Sequence, residues 1–342
     1  MKINGAWLVL NKECNFKCPW CYMKSEWDKK EEMDFSLACK IIDFLDEGNV
    51  KNIILLGGEP TLYSRIFDVI EYIKNKKMFS ALVSNGVKFS DISFAKKIIM
   101  AGVNIINFSA KGGNNEQYKR VTKASNGYTE MIQGYKNVHK LGKDVSFSVT
   151  IAGELVDNIE EVINNLVDDG VEGISISLGT PVIDGNKLSG DSIPNPITLA
   201  KAYERAYDVL SKRGIIFSFY NTIPLCLISK RVREKVINAE RAINYCNVSQ
   251  GKGLNFNYKG EIIPCNHFTS HSLCKFGKDF KTFSEFMKLW ESPKMTCFRK
   301  GCSRFPTKKC SKCSDWDKCG GGCFLNWLYF NPNDYIGGFK SE

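Results

Sequence analysis

Three thiols fall within eight residues near the start of the chain. Cys14, Cys18 and Cys21 are spaced C-x3-C-x2-C in the stretch LVLNKECNFKCPWCYMKS. Thiolates are soft ligands for zinc and for iron–sulfur clusters. A structural zinc site normally closes with four nitrogen or sulfur ligands, and no fourth thiol follows at short spacing. Three local thiolates suit a [4Fe–4S] cluster with three cysteine-held irons and one left open; zinc is the competing reading of the triplet taken alone. The chain has 14 cysteines, and the nine beyond Ala242 form a second concentration. There CSKCSDWDKCGGGC spaces Cys310, Cys313, Cys319 and Cys323 as C-x2-C-x5-C-x3-C, while Cys246, Gly260 and Cys265 follow C-x13-G-x4-C. Glycines allow a loop tight enough to deliver two cysteines to different clusters. With no export signal to suggest an oxidising compartment, clustered thiols point to metal rather than disulfides.

Such thiols need a scaffold. From residue 6 to about 213, short β-branched runs alternate with longer amphipathic patterns. Strands are predicted at Ala6–Leu10, Asn52–Leu56, Ser80–Val83, Asn104–Ser109, Val145–Thr150 and Gly173–Leu178, each read as buried on both faces. Helices are predicted at Phe35–Asp46, Ser64–Asn75, Ile92–Ala101, Tyr128–Leu141, Asn158–Asp168 and Thr198–Lys212, the fifth capped by Asp157 and Asn158. Gly102, Gly142 and Gly170 read as helix stops. Six strand–helix units in series imply an α/β fold with a parallel sheet, too few for a closed eightfold barrel. The expected architecture is a partial (β/α)6 TIM-like barrel over 1–213, a bridging segment over 214–245 and a small cysteine-rich domain over 246–342. Gly179–Pro196 reads as a long loop after the sixth strand. The triplet follows the first strand at its C-terminal end, the edge where ligands gather in such sheets.

The net charge is +10. Its lysines are scattered, and groups such as Lys74 to Lys77 read as solvated helix faces, so no nucleic-acid partner is expected. No apolar run approaches the roughly 18–20 residues of a membrane span, and the N-terminal apolar stretch is short for a signal peptide. The expected location is the cytoplasm, with no membrane partner.

Three further stations stand at the ends of successive predicted strands. LLGGEP covers Leu55–Pro60, VSNGV covers Val83–Val87, and NFSAKGG runs from Asn107 to Gly113. Each alone reads as an ordinary turn or strand end. Together with C-x3-C-x-aromatic-C, where Trp20 precedes Cys21, they resemble the radical S-adenosylmethionine (SAM) enzymes over residues 6 to about 213. The resemblance implies that Cys14, Cys18 and Cys21 hold a [4Fe–4S] cluster whose open iron chelates SAM. Reduction then yields a 5′-deoxyadenosyl radical that abstracts hydrogen from a substrate. It further implies that Trp20 and Tyr22 flank the site, that Gly57, Gly58, Glu59 and Pro60 hold the SAM amino group, and that Ser84 and Asn85 lie near the adenosyl half. Ser109 would meet the SAM carboxylate, with Arg120 as its basic partner and Lys123 as the fallback.

Residues 246 to 323 resemble the SPASM/twitch extension of that family, which carries auxiliary [4Fe–4S] clusters. The resemblance implies a near cluster on Cys246, Cys265 and Cys323, and a far one on Cys310, Cys313 and Cys319. The family pattern ends with one more cysteine, and none follows Cys323. Cys302, Asp315 and Asp317 remain open as the far cluster's fourth ligand; alternatively, the site is open or the cluster absent. Three readings compete for Cys226: a ligand that completes the near cluster, an inert buried thiol, and, as the catalytic candidate, a thiol that hands a hydrogen atom to a substrate radical. Cys39, Cys274 and Cys297 read as inert or spare. His267 and His271 read as loop polar groups, with metal ligation or proton transfer as alternatives.

Enzymes with this extension often crosslink, epimerise or oxidise ribosomally made peptides, so the expected substrate is a peptide, with flavodoxin or ferredoxin as electron donor. Thirteen residues precede Cys14, which leads us to expect no winged-helix recognition domain; a separate leader-recognition protein is then a possible partner. The alternatives are a small-molecule dehydrogenase or decarboxylase and, outside enzymes, an iron–sulfur electron carrier or SAM-binding regulator.

Overall fold

The computed structural model describes residues 2–24, 27–220, 222–240, 242–243 and 246–336; the remainder of the bridging segment and of the tail lies outside them. Six parallel strands stand in sequence order: β1 (Gly5–Val9), β2 (Asn52–Leu56), β3 (Phe79–Ser84), β4 (Ile105–Ala110), β5 (Val145–Ile151) and β6 (Gly173–Leu178). The crossovers carry α1 (Phe35–Glu47), α2 (Ile66–Asn75), α3 (Ile92–Ala101), α4 (Asn115–Thr122), α5 (Gly127–Lys140), α6 (Leu155–Asp168) and α7 (Pro196–Arg213). The α/β architecture with a parallel sheet, expected from the strand–helix alternation, is present.

Local chemistry accounts for the helix limits. Asp34 caps α1 by accepting from the Leu37 amide at 3.0 Å, and Ala38, Ile41, Ile42 and Leu45 recur at helical spacing on its buried face. Gly102 ends α3 at φ +99°, a left-handed conformation that glycine adopts without a Cβ penalty. α6 begins at Leu155, so Asp157 lies in its first turn rather than at its cap. There the carboxylate favours the helix dipole without closing the end.

β1 is buried on both faces, but β3 to β6 are not. Ile106, Phe108, Phe147, Val149, Ile174 and Ile176 point into the apolar layer under the helices. The alternate positions carry Asn107, Ser109, Ser146, Ser148, Ser175 and Ser177, which are half-buried or exposed. Ser148 donates to Asn107 Oδ1 at 2.8 Å, and Asn107 Nδ2 donates to Ser146 Oγ at 2.9 Å. Period-two alternation thus gives the sheet one oily face and one hydroxyl-lined face, and the polar face leads towards the strand ends where the triplet sits.

The stretch after β6 is not all loop. β7 (Val182–Asp184) and β8 (Lys187–Ser189) form a hairpin with Gly185 at φ +57° in its two-residue turn. Beyond α7, β9 (Ile216–Tyr220) pairs parallel with β6, and β10 (Ala242–Ile243) pairs with β9. α8 (Lys230–Asn238) lies between them. At the opposite edge β11 (Gly253–Phe256) pairs parallel with β1, followed by antiparallel β12 (Glu261–Ile263) and β13 (Cys274–Lys275). One eleven-stranded sheet therefore runs from the bridging segment through the barrel strands into the cysteine-rich part. Among the described residues no helix is long and apolar enough to cross a membrane.

An aromatic cluster fastens the C-terminal part to the first helix. Phe44 of α1 meets Phe256, Phe276, Phe280, Phe283 and Phe286 with ring centroids 5.2–6.2 Å apart. Truncating a buried phenylalanine removes its transfer energy and leaves a cavity, at about 3–5 kcal/mol. Phe44→Ala is expected to lower the free energy of unfolding by about that amount, measured by chemical denaturation of the metal-free chain; a loss below about 1 kcal/mol would show that the seam does not depend on this ring.

Candidate functional site

The cysteine loop leaves β1 and is tied at once to the loop after β2. The Gly58 amide donates to Asn11 O and the Glu59 amide to Glu13 O, both at 2.8 Å. Asn11 Nδ2 donates to Glu13 O at 3.1 Å and Glu59 O at 3.0 Å. A Cβ on Gly57 would overlap the Asn11 side chain, and one on Gly58 would overlap the carbonyls of Lys12 and Glu13. The paired glycines thus admit the neighbouring backbone that carries the triplet. Sequence reading did not single out Asn11, an ordinary polar residue at a strand end.

Glu59 then joins this pair of loops to the one after β3. Its side chain is 2% exposed. Oε1 accepts from the Thr61 amide (3.0 Å), Thr61 Oγ1 (2.7 Å) and Ser84 Oγ (2.8 Å), while Oε2 accepts from the Asn85 amide (2.7 Å). Burial raises its carboxyl pKa and these hydrogen bonds oppose the shift. Asn85 Nδ2 reaches back to Asn15 Oδ1 at 2.6 Å, inside the cysteine loop. Pro60 is buried at the start of a short 3₁₀ turn, directly after the carboxylate-bearing residue.

Between these loops lies a cavity of about 320 Å³. All three thiols of the triplet line it, with Trp20 and Tyr22 beside them. Gly57, Gly58, Glu59, Ser84, Asn85 and Ser109 also border it. Tyr22 is oriented by a hydroxyl hydrogen bond to Gly57 O at 3.3 Å. Burial pushes the Cys18 thiol up to about 12, with Lys111 pulling the other way, and burial also raises Cys14. Buried neighbouring thiols ionise only with positive charge supplied to them, which is what a bound metal centre does. Among the described residues no three His, Cys, Asp or Glu side chains converge to hold a single metal ion. Sulfurs that surround an iron–sulfur cube stand farther apart than ligands of one ion, so the triplet's donor chemistry and shared cavity fit a cluster.

Arg120 does not border this cavity. Its guanidinium pairs with Glu154 at 3.2 Å on the outer surface, 52% exposed. The cation in the cavity is Lys111, whose Nζ donates to Ser109 Oγ at 2.6 Å. Lys111 lies two residues beyond Ser109, on the first bend after β4, whereas Arg120 is carried away by α4. That helix was absent from the predicted elements, and strand-end proximity was the signal available for Lys111. Lys123 caps the end of α4 and donates to Arg120 O at 3.0 Å.

The C-terminal part reaches over the cavity through Asn266 and His267. His267 is half-buried, and desolvation of its ring lowers its pKa to about 4, which leaves it neutral near pH 7. Its carbonyl accepts from the Ile183 amide of the hairpin at 2.8 Å. A second cavity of about 420 Å³ adjoins Trp20, Cys21 and Tyr22 and is bounded by Thr180, Lys187 and Asp191.

The remaining motif cysteines gather in two groups. Cys246, Cys265 and Cys323 lie near one another, and Cys302 stands with them: burial first, then these neighbouring thiols, raise the pKa of Cys265, Cys323 and Cys302. Cys310, Cys313 and Cys319 form the other group, and Cys226 stands with those three. Cys302 is thus beside the thiols assigned by resemblance to the near cluster and Cys226 beside those of the far one, the reverse of the pairing weighed from sequence. Cys274 is buried and Cys297 exposed.

Glu59→Gln tests the clamp. An amide substitutes a donor for one carboxylate oxygen, so at least one of the four donors loses its acceptor. The expected cost is about 1–3 kcal/mol, read by urea denaturation of the metal-free chain. Unchanged stability would refute a structural role for the carboxylate.

Residues 8–166 match the family model described as the Radical SAM superfamily. The tungsten-containing aldehyde ferredoxin oxidoreductase cofactor-modifying protein of Pyrococcus furiosus is 23% identical over 343 residues, spanning 92% of this chain and 88% of that protein. Among solved structures, Streptococcus suis SuiB bound to S-adenosylmethionine superposes with a TM-score of 0.71 at 16% identity, covering 96% of this chain and 75% of SuiB. Native anSMEcpe with bound AdoMet gives 0.72 at 16% identity, covering 94% of this chain and 89% of that one. These likenesses extend the shared fold through the cysteine-rich part, well past the matched stretch. With the thiol triplet, GGEP and SNG all inside that stretch and at successive strand ends, residues 8–166 are a radical SAM domain, of a superfamily that uses SAM and a [4Fe–4S] cluster.

Proposed function

We propose that Cys14, Cys18 and Cys21 hold a [4Fe–4S] cluster, that SAM binds beside it, and that the substrate is a ribosomally made peptide. The observation that carries the reading is the single cavity shared by the three thiols, the Ser109–Lys111 pair and the overhanging Asn266 and His267. Bound there, SAM and the reduced cluster supply a carbon radical able to take a hydrogen atom from a substrate.

The chain's own residues set up that chemistry. Lys111 brings a positive charge and Ser109 a hydroxyl to one side of the cavity, a pair suited to a carboxylate. Gly57 O, already approached by the Tyr22 hydroxyl, is an acceptor for an ammonium group. Leu56, Val83 and Leu178 provide apolar wall, which keeps water from a reactive centre. Glu59 has its four donors inside the protein and acts by positioning the loops.

The adjoining 420 Å³ cavity between Trp20 and the hairpin gives a peptide segment a route to the cluster edge. Peptide chemistry is supported by two structural relatives, SuiB bound to precursor peptide SuiA and anSMEcpe bound to Cp18Cys peptide. The +10 net charge favours an acidic leader. Residues 246–342 would act as a SPASM-type auxiliary region, with ferredoxin or flavodoxin as electron source and a separate protein for leader recognition. A second reading, modification of a small molecule or cofactor, is favoured by the Pyrococcus furiosus relative, whose name describes a cofactor-modifying protein and which aligns along nearly the whole chain.

Reduced, cluster-loaded protein is expected to convert SAM to 5′-deoxyadenosine, and Cys14→Ala to abolish this; no product from the wild type refutes the radical reading. Short peptides encoded beside the gene, incubated with the enzyme and followed by mass spectrometry, should change mass. Steady 5′-deoxyadenosine formation with every such peptide unchanged, but stimulated by a small-molecule fraction, would favour the second reading.

Lys111→Met is expected to weaken SAM binding roughly 10- to 100-fold, the equivalent of losing one charge-assisted hydrogen bond. Arg120→Met should change it by less than about twofold. Calorimetry on the cluster-loaded protein separates the two, and the opposite ranking would return the carboxylate partner to Arg120.

A further inference from the structure

The cysteine spacing supplies three thiols to each auxiliary group, and the folded chain brings one more to each. We propose that Cys302 completes a four-thiolate site with Cys246, Cys265 and Cys323, that Cys226 completes a second with Cys310, Cys313 and Cys319, and that each site holds one [4Fe–4S] cluster with every iron ligated by the chain. This rests on the reading of the C-terminal part as cluster-binding and names the two ligands that its motif leaves unassigned.

Cys226 is held at its group by the backbone around it. The Leu225 amide, one residue earlier, donates to Cys319 Sγ at 3.3 Å. Thr222 O accepts from the Cys323 amide at 2.8 Å and from Asn326 Nδ2 at 2.6 Å. Gly322, at φ +78°, has no room for a Cβ against Thr222 O and Ile223. The segment from 222 to 227 is therefore clamped onto the C-x3-C loop, and Cys226 meets three thiols already brought together. Cys310 and Cys313 sit on one tight turn, with the Cys313 amide donating to Cys310 O at 3.2 Å.

Cys302 reaches the other group by helix packing. It ends the helix Pro293–Cys302, which lies against the short helix Asn247–Gln250. Cys246 is the residue that opens the latter. Phe324, next to Cys323, lines the same groove as Cys302 and stacks on Phe268 with centroids 5.7 Å apart. Cys302 therefore lies between the two elements that carry Cys246 and Cys323.

Fully ligated clusters leave no open iron for substrate, and a thiolate bound to iron has no S–H hydrogen to give. The assignment thus removes Cys226 as a hydrogen-atom donor and removes any need for Asp315 or Asp317 as ligands.

The test counts iron in full-length chain whose first site has been deleted by Cys14→Ala, Cys18→Ala and Cys21→Ala together. That background is expected to retain about eight irons after anaerobic reconstitution. Adding Cys302→Ala or Cys226→Ala should each remove or degrade one cluster, seen as a loss of about one to four irons and a [3Fe–4S] signal in electron paramagnetic resonance after oxidation. Pairwise combinations assign the sites. Cys302→Ala with Cys265→Ala should lose no more than Cys265→Ala alone, whereas Cys302→Ala with Cys310→Ala should lose the sum; Cys226→Ala should behave oppositely. Cys297→Ala, on the same helix as Cys302, should keep the background's iron and spectrum and controls for misfolding. Unchanged iron and spectra in Cys226→Ala and Cys302→Ala, or the reversed pairing, overturn the proposal. A background with no iron although all eight thiols are intact overturns instead the cluster-binding reading on which it rests.

Discussion

The carboxylate of Glu59 is the constraint on which the site depends. It is buried where a charge is costly, and four donors from Thr61, Ser84 and Asn85 surround it. Charge-assisted hydrogen bonds contribute about 1.5–3 kcal/mol each, so a satisfied carboxylate is tolerable while a half-satisfied one is not. The outcome is geometric. The loops after β2 and β3 are drawn together, and Asn11, Gly57 and Gly58 lock the cysteine loop against them. Loops alone would leave the thiols with the mobility of loops; this clamp gives them the precision of the sheet.

The polar face of the sheet is the second element of the arrangement. Asn107, Ser146 and Ser148 hydrogen-bond across neighbouring strands on the face away from the helices, and Ser109 and Ser177 of the same face reach the cavity. Positive charge enters that hydroxyl-lined space at Lys111. The apolar face meanwhile packs against the helices with Phe108, Phe147 and their neighbours in contact. Alternation along each strand thus serves packing and chemistry at once.

The C-terminal part is joined to the barrel at both edges of the sheet and again through the Phe44 cluster. β11 extends β1, while the segment following β9 lies against the CGGGC loop. This explains how thiols nearly a hundred residues apart, such as Cys226 and Cys319, come together. It also explains why Asn266 and His267 overhang a cavity whose walls include the ends of β2 to β6. A radical reaction needs such cover, since water and stray hydrogen donors would divert it.

Much of this was legible in the residues alone. The six parallel strands, their helices and the triplet's place after β1 follow from periodicity and spacing, which are local properties. The hairpin at β7 and β8 and the helix α4 went unread because short elements carry weak periodic signals beside Gly, Asn and Ser. Arg120, with Lys123 as its fallback, was named and Lys111 was not weighed, because sequence distance says nothing about the direction in which a helix carries a side chain. The fourth member of each thiol group lay beyond the spacing motif for a related reason. Cys226 and Cys302 reach their partners only through strand pairing and helix packing, and contacts between distant segments are written in no single stretch of chain. The sequence by itself determined which chemistry is available, through thiol number and local spacing; tertiary structure alone decided which thiols, cations and carboxylates share a space, because that depends on long-range packing.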